Sequence, residues 1–252
     1  MSENVKFYND LAPYYHLILE DWDRAVRWQA EVLDALIARL AGPGSKRILD
    51  ATCGIGTQAI GLALKGHAMT ASDLSHQAVD RTGQEAARLG AELELAVADM
   101  RELDRQFEGR TFDLVVSLDN ALPHLETDAE LERALAAFRS LLEEGGLVLA
   151  SIRNYDRLRK ERPEGLAPKV FRDGQEERRV SQVWHWSEDG GTCDIEIVLE
   201  QDGETKVFAG RYRALTRAEL SRALEVSGFA GVEWLMPADS GYYQPIVVAR
   251  AA

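Results

Sequence analysis

Apolar residues recur at helical spacing between Asp21 and Leu40: Trp22, Ala25, Val26, Val32, Leu33, Leu36, Ile37 and Leu40 form one stripe. Gln29 is its one polar member. AGPGS breaks the pattern. From there short apolar runs alternate with helical stretches. KRILDA reads as a buried strand, TQAIGLALKG as a helix ending on Gly66, and HAMTASDLS as a second strand. SHQAVDRTGQEAARLG reads as a helix capped by Ser75, followed by LELAVADM and FDLVVSLDN as strands. LETDAELERALAAFRSLLEEGG is a helix and GLVLASIRN a fifth strand. Strand centres that are apolar throughout, separated by helices, predict a parallel sheet covered on both faces.

After Asn154 the period changes to two. SQVWHW, TCDIEIVLEQ and KVFAGRYRAL alternate apolar and polar residues around glycine-containing turns, which predicts an antiparallel meander. TRAELSRALEVSGF is a helix capped by Thr216 with Glu219 three residues on. GVEWLM and YYQPIVVAR close the chain as strands. The predicted architecture is α/β: a Rossmann-like, seven-stranded, mostly parallel sheet with helices on both faces, plus a small antiparallel insert. The expected division is an N-terminal helical segment (1–45), a core (46–156), the insert on the substrate side (157–215), and a closing helix and strands (216–252). The charged stretches RNYDRLRKERPEG and FRDGQEERRV read mostly as solvated loops.

Composition narrows the function. The chain has 252 residues, 46% apolar and 28% charged, with a net charge of −13. That charge disfavours nucleic acid and anionic membrane surfaces as partners. No apolar run approaches the ~20 residues of a spanning helix. MSENVKFYND lacks a basic segment followed by an apolar one, so a cytoplasmic location is expected. Cys53 and Cys193 form no metal-ligand pattern, and no metal is expected. A small-molecule acceptor is the expected partner, and self-association stays open.

In an open parallel sheet, ligands bind beyond the carboxyl ends of the strands. Those ends carry Asp50, Ala51, Thr52, Cys53 and Gly54; Asp73; Asp99 and Met100; Asp119 and Asn120; and Arg153 and Asn154. Gly54 and Gly56 let backbone approach a ligand. Asp73 is placed to accept ribose hydroxyls. Asp99 suits an exocyclic adenine amine, with Met100 covering the ring. The third glycine of a dinucleotide loop is missing, so the set describes an adenosine without a pyrophosphate.

This set resembles the class I methyltransferases that use S-adenosylmethionine. LDATCGIGT resembles their first motif, with Thr52 where many members have a glycine; SDLS and ADM resemble the ribose and adenine motifs. The resemblance implies Ala51, Gly54, Gly56, Asp73, Leu74, Asp99, Met100 and Leu118 as cofactor contacts. LDNALPHL and IRNYD are similar to segments of the glycine and sarcosine N-methyltransferase family. That similarity implies Arg153 for a substrate carboxylate, with Tyr155 in the same motif, and Asn120 and His124 lining the methyl-transfer site. YNDLAPYYHLILEDWDRAVRWQ also resembles this group, in which an N-terminal segment lids the site. It implies Arg27 for the methionyl carboxylate and Tyr8, Tyr15 and Trp22 around the methionine end. Asp119 and Pro123 depart from the family pattern, which puts glycine as the acceptor in doubt.

Several residues carry two readings. His124 is either a general base or a loop-fixing histidine. Asp119 is a catalytic or substrate contact, or a turn-stabilising acid. Arg153 is a substrate anchor or a structural ion pair. Trp184 and Trp186 share one strand face and read first as core. Of Tyr242 and Tyr243, one reaches the mouth and the other packs. Tyr14, Tyr15, Trp22, Trp184 and Tyr243 together would suit a flat acceptor, such as an indole methylated at C3, better than glycine or sarcosine. The expected reaction is methyl transfer by in-line displacement to an amine or to a ring carbon or nitrogen. The alternative of another class is a cofactor-binding module without catalysis.

Overall fold

The computed structural model describes residues 3–173 and 176–252. The N-terminal segment forms α1 (Glu3–Leu11), a 3-10 turn (Tyr15–Ile18) and α2 (Trp22–Ala41). The core then alternates β1 (Arg47–Asp50), α3 (Thr57–Leu64), β2 (Ala68–Asp73), α4 (His76–Leu89), β3 (Glu94–Val97), α5 (Leu103–Gln106) and β4 (Phe112–Ser117). A 3-10 turn (Leu122–His124), α6 (Asp128–Ser140), β5 (Leu142–Ser151) and α7 (Tyr155–Glu161) follow. The insert is β6 (Gly165–Asp173), β7 (Glu176–Trp186), β8 (Thr192–Gln201) and β9 (Glu204–Arg213). The chain closes with α8 (Arg217–Val226), β10 (Phe229–Leu235), α9 (Pro237–Ser240) and β11 (Ile246–Ala251).

The seven-stranded sheet has the order β10-β11-β5-β4-β1-β2-β3. β11 runs antiparallel to both neighbours, and the pairings from β5 to β3 are parallel. Alternate residues of one strand serve opposite faces. Leu49, Val115 and Val148 pack with α6 and α8, whereas Ile48, Leu114 and Leu149 pack with α2 and α3. All six are essentially buried, which is why these strands read as continuous apolar runs. Ser75 caps α4 by accepting from Ala78 N, and Thr216 and Glu219 form the expected capping box.

The structure corrects three element boundaries. The LLEEGG end of the expected α6 helix opens β5 instead. The insert has four strands rather than three, because the charged stretch read as loop supplies α7 and β6. β6 is an edge strand whose Leu166 and Val170 stay exposed while Phe171 packs against the insert's inner cluster. Residues 174 and 175 lie outside the described residues. Among the described residues, no helix is long and apolar enough to cross a membrane.

The inner face of the insert holds the N-terminal segment. Phe7 and Leu11 of α1 pack with Val180, Ile197, Leu199 and Phe208. Arg178 of β7 donates to Leu17 O (2.9 Å), Leu19 O (2.7 Å) and Glu20 O (2.8 Å). Replacing Arg178 with Ala should therefore accelerate thermolysin cleavage within residues 12–21 several-fold, with little change in the urea midpoint of the core. Equal cleavage rates would show that the guanidinium does not restrain this segment.

Candidate active site

One cavity of about 720 Å³ opens at the carboxyl ends of β1 to β4. Its walls include residues 51–55 of the β1–α3 loop, Asp73 and Leu74, Asp99 and Met100, Leu118, Asp119 and His124. Asn4, Val5, Tyr8 and Tyr15 close it from the N-terminal segment.

The β1–α3 loop is fixed by the sheet it leaves. Ala51 N donates to Val116 O and Cys53 N to Ser72 O, both at 2.9 Å. The Thr52 hydroxyl bonds that of Ser117 at 3.0 Å, so Thr52 braces the ends of β1 and β4. Gly54 has φ +54°, and a Cβ there would meet no atom within 4 Å. Its open side and its place in the cavity wall fit close backbone approach to a ligand. Gly56, at φ +88°, differs: a Cβ would meet Thr82 Cγ2 at 2.7 Å and Ile60 Cδ1 at 2.8 Å. Gly56 is outside the cavity wall, and its role is packing. Buried Asp50 accepts from Thr52 N, leaving Oδ2 without a hydrogen-bond partner. Burial pushes its carboxyl up to about 7.

Asp73 accepts from Gly54 N and Ser75 N, both at 2.9 Å. The Leu74 backbone also hydrogen-bonds it, so about one of a carboxylate's four acceptor positions remains. Burial raises its carboxyl above the usual range. Asp99 is gripped by the Arg101 guanidinium, with Nη2 to Oδ2 at 2.6 Å. Burial works against its charge, but Arg101 prevails and holds the carboxyl low. Asp99 thus meets a ligand already paired, a constraint the sequence reading lacked.

His124 is buried at the end of the Leu122–His124 turn. Its Nδ1 lies 3.1 Å from Arg211 O, a group that only accepts, so Nδ1 carries the proton. Nε2 therefore accepts from the Tyr8 hydroxyl at 2.7 Å. Burial lowers the imidazole pKa to about 4. Asn120 does not line the cavity. Its Nδ2 donates to Tyr155 OH and its Oδ1 accepts from Arg153 N, both at 3.0 Å, tying β4's end to the segment after β5. Tyr155 is 1% exposed and also lies outside the wall.

Asp119 has φ 56° and Asn120 φ 71°, a left-handed corner made without glycine. Asp119 N donates to Ser151 Oγ at 2.8 Å. Its carboxylate accepts from the hydroxyls of Tyr242 and Tyr243 and from Gln58 Nε2 (2.7 Å). Both tyrosines thus serve one carboxylate. Gln58 and Gln29, neither of them expected at the site, are buried around it together with Tyr242. Gln29 carried a signal, as the polar residue on an apolar stripe.

Arg153 lies beyond the wall, and its charge acts on Tyr15, Asp119 and His124. The guanidinium stacks 4.9 Å over the Trp184 ring and 5.4 Å over Tyr212. Nη2 reaches Gln182 at 3.5 Å, and Nη1 is buried with no hydrogen-bond partner.

Four other expected contacts lie elsewhere. Trp22 is buried and donates to Thr57 Oγ1 at 3.0 Å. Arg27 is exposed on α2 and outside the cavity wall. Tyr14 packs on Phe208 of β9, with Lys206 over its ring. Trp184 is core, packed with Trp186.

Residues 48–146 match the family described as a methyltransferase domain. The chain is 31% identical over 146 residues to the glycine/sarcosine N-methyltransferase of Aphanothece halophytica, covering 57% of this chain and 55% of that protein. It is likewise 31% identical over 148 residues to that of Parasynechococcus marenigrum, covering 58% and 52%. The chain thus spans about half the length of these curated relatives. Its fold is similar to the CcbJ methyltransferase from Streptomyces caelestis, with TM-score 0.73 at 20% identity over 89% of each chain. It is also similar to CalS10, an amino pentose methyltransferase from Micromonospora echinaspora, with TM-score 0.67 at 24% identity over 89% of this chain and 92% of that one. Residues 48–146 thus match a methyltransferase domain, and the chain as a whole has a fold similar to that of solved methyltransferases.

Proposed function

We propose that the protein is an S-adenosylmethionine-dependent N-methyltransferase whose acceptor is a small amine bearing an anionic group. The observation that carries this reading is the one cavity joining the Gly54 loop, Asp73, and Asp99 with Met100. Those residues fit an adenosine: Gly54 leaves backbone room, Asp73 keeps acceptor capacity for a ribose hydroxyl, and Leu118 and Met100 offer apolar cover. When bound, the cosubstrate supplies a methyl group already activated by a sulfonium. The chain's own task is to hold the acceptor with its amine neutral and to exclude water. Tyr8, Tyr15 and the α1 residues Asn4 and Val5 cover the cavity and exclude water.

Nitrogen is favoured over carbon by the state of His124. A ring carbon must shed a proton after attack, which calls for a base. His124 has its Nε2 lone pair engaged by Tyr8 and a pKa of about 4, so it is a poor one. A neutral amine needs no such help. The case for a flat indole acceptor also weakens, because Tyr14, Trp22 and Trp184 are absent from the cavity wall. An anionic group on the acceptor is supported by Arg153, whose Nη1 is buried without a partner. Glycine and sarcosine, named for the curated relatives, fall within this class of acceptor.

Incubating the protein with labelled cosubstrate and panels of amino acids, amino sugars and indoles tests the reading by mass spectrometry. Label should appear on a nitrogen; label on a ring carbon would overturn the amine assignment. Asp73→Ala should weaken S-adenosylhomocysteine binding by about tenfold or more in calorimetry, the loss expected for hydrogen bonds to a charged group. Arg153→Ala should raise the acceptor KM with cosubstrate affinity unchanged.

His124 also predicts a pH dependence. Its folded pKa of about 4 lies below the unfolded value near 6.5. Between these values the unfolded chain binds a proton that the folded one refuses. The contribution is therefore complete above about pH 6.5 and is lost as pH falls toward 4, by up to about 3 kcal/mol. Urea unfolding at pH 7 and 4.5 should show the native protein losing more stability than His124→Gln. Equal losses would mean that His124 titrates normally.

A further inference from the structure

We infer that Asp119 anchors the α-ammonium of the cosubstrate's aminoacyl end, in a site that offers no cation to its α-carboxylate. The inference rests on the methyltransferase reading and goes further, to how this chain holds the part of the molecule beyond the nucleoside.

Sheet order gives the direction. The strands run β4-β1-β2-β3, and their carboxyl ends present Asp119, the Gly54 loop, Asp73 and Asp99 in turn. Neighbouring strands are about 4.8 Å apart, so Asp119 stands roughly 14 Å along the sheet from Asp99. A nucleoside over the ends of β2 and β3 directs its chain across the loop toward the end of β4. Asp119 and Gln58 form the cavity wall there.

The chemistry at that end suits a cation. The Asp119 carboxylate is served by two tyrosine hydroxyls and one amide, all neutral. These donors fix its orientation and leave its charge uncompensated by any hydrogen-bonded cation. Burial holds its carboxyl above the usual range, a cost that a docked ammonium relieves. Among the described residues of the cavity wall, Arg101 is the sole guanidinium or ammonium group, and Asp99 and Glu130 already hold it. Arg27, the expected carboxylate partner, is outside the wall. The left-handed backbone at Asp119 and Asn120 adds a third observation. Such a corner persists where the surrounding structure holds it. Here Ser151, Gln58, Tyr242 and Tyr243 all hold it.

Calorimetry with three adenosyl ligands tests the assignment: S-adenosylhomocysteine, its analogue lacking the α-carboxylate, and 5′-methylthioadenosine, which lacks the aminoacyl group. Asparagine tolerates left-handed backbone well, so Asp119→Asn is conformationally mild. It should weaken the first two ligands roughly tenfold to a hundredfold and leave methylthioadenosine unchanged. Equal loss for all three, or no loss for the first, would overturn the assignment. In the native protein, removing the α-amino group from S-adenosylhomocysteine should cost more affinity than removing its α-carboxylate. The reverse order would overturn it even if the variant failed to fold. If the native protein bound none of the adenosyl ligands, the methyltransferase reading itself would fall, and this inference with it.

Discussion

A carboxylate taken out of water must find donors, and Asp119 finds them on separate parts of the chain. Gln58 comes from α3, Tyr242 and Tyr243 from the segment before β11, and Ser151 of β5 holds the backbone nitrogen. Gln58 and Tyr242 in turn reach Gln29 of α2, and Ser151 reaches Gln244. The end of β4 is thereby tied to both flanking helices and to the last strand. The cavity's shape follows from this network, because the left-handed turn at Asp119 and Asn120 sets where His124 and the start of α6 emerge. A buried polar network of this sort is worth having only when its members are satisfied, and here three side-chain donors converge on the one carboxylate.

The second constraint is the closing of the cavity. α1 is short, and isolated helices of this length are marginal in water. It holds its place because Phe7 and Leu11 bury against the insert and because Arg178 restrains the backbone beyond it. The insert therefore does more than border the site. It supplies the surface on which the covering segment rests, and its Arg211 carbonyl fixes the tautomer of His124. Tyr8 joins the two arrangements, with its ring on α1 and its hydroxyl on His124.

Much of the fold was legible because strand and helix periods differ so clearly. Apolar strand centres require cover on both faces, and that alone gives the parallel sheet. The misread portions share a cause. LLEEGG continues a helical spacing, but Leu142 pairs with Phe112 of β4, and the register shifts before it resumes at Leu147. β6 has little apolar alternation, because an edge strand draws its pairing from backbone and not from a buried face. At the site, glycine loop and acids were legible because strand ends converge by topology. Arg27, Tyr14 and Trp184 were misplaced because helix rotation and strand face decide whether a side chain reaches a cavity, and a motif's spacing does not fix either. Gly56 was misread for a related reason: two glycines in one loop looked alike, yet one faces open space and the other faces Thr82.

The charge of the site follows from these placements. Asp50, Asp73 and Asp119 end three adjacent strands, and Asp73 and Asp119 both raise the proton affinity of Asp50. Against them stands Arg153, stacked on Trp184 and Tyr212 instead of paired with a carboxylate. The cavity wall at these strand ends is therefore anionic, and the Arg153 guanidinium, with a free donor, stands beyond that wall. In a low-dielectric enclosure such separation orients a ligand more strongly than it would in water. Under the proposed function, a positively charged cosubstrate would be drawn to the strand ends from β4 to β2, and an anionic acceptor toward the end of β5. Sorting of the two reactants by charge would then precede any contact specific to either.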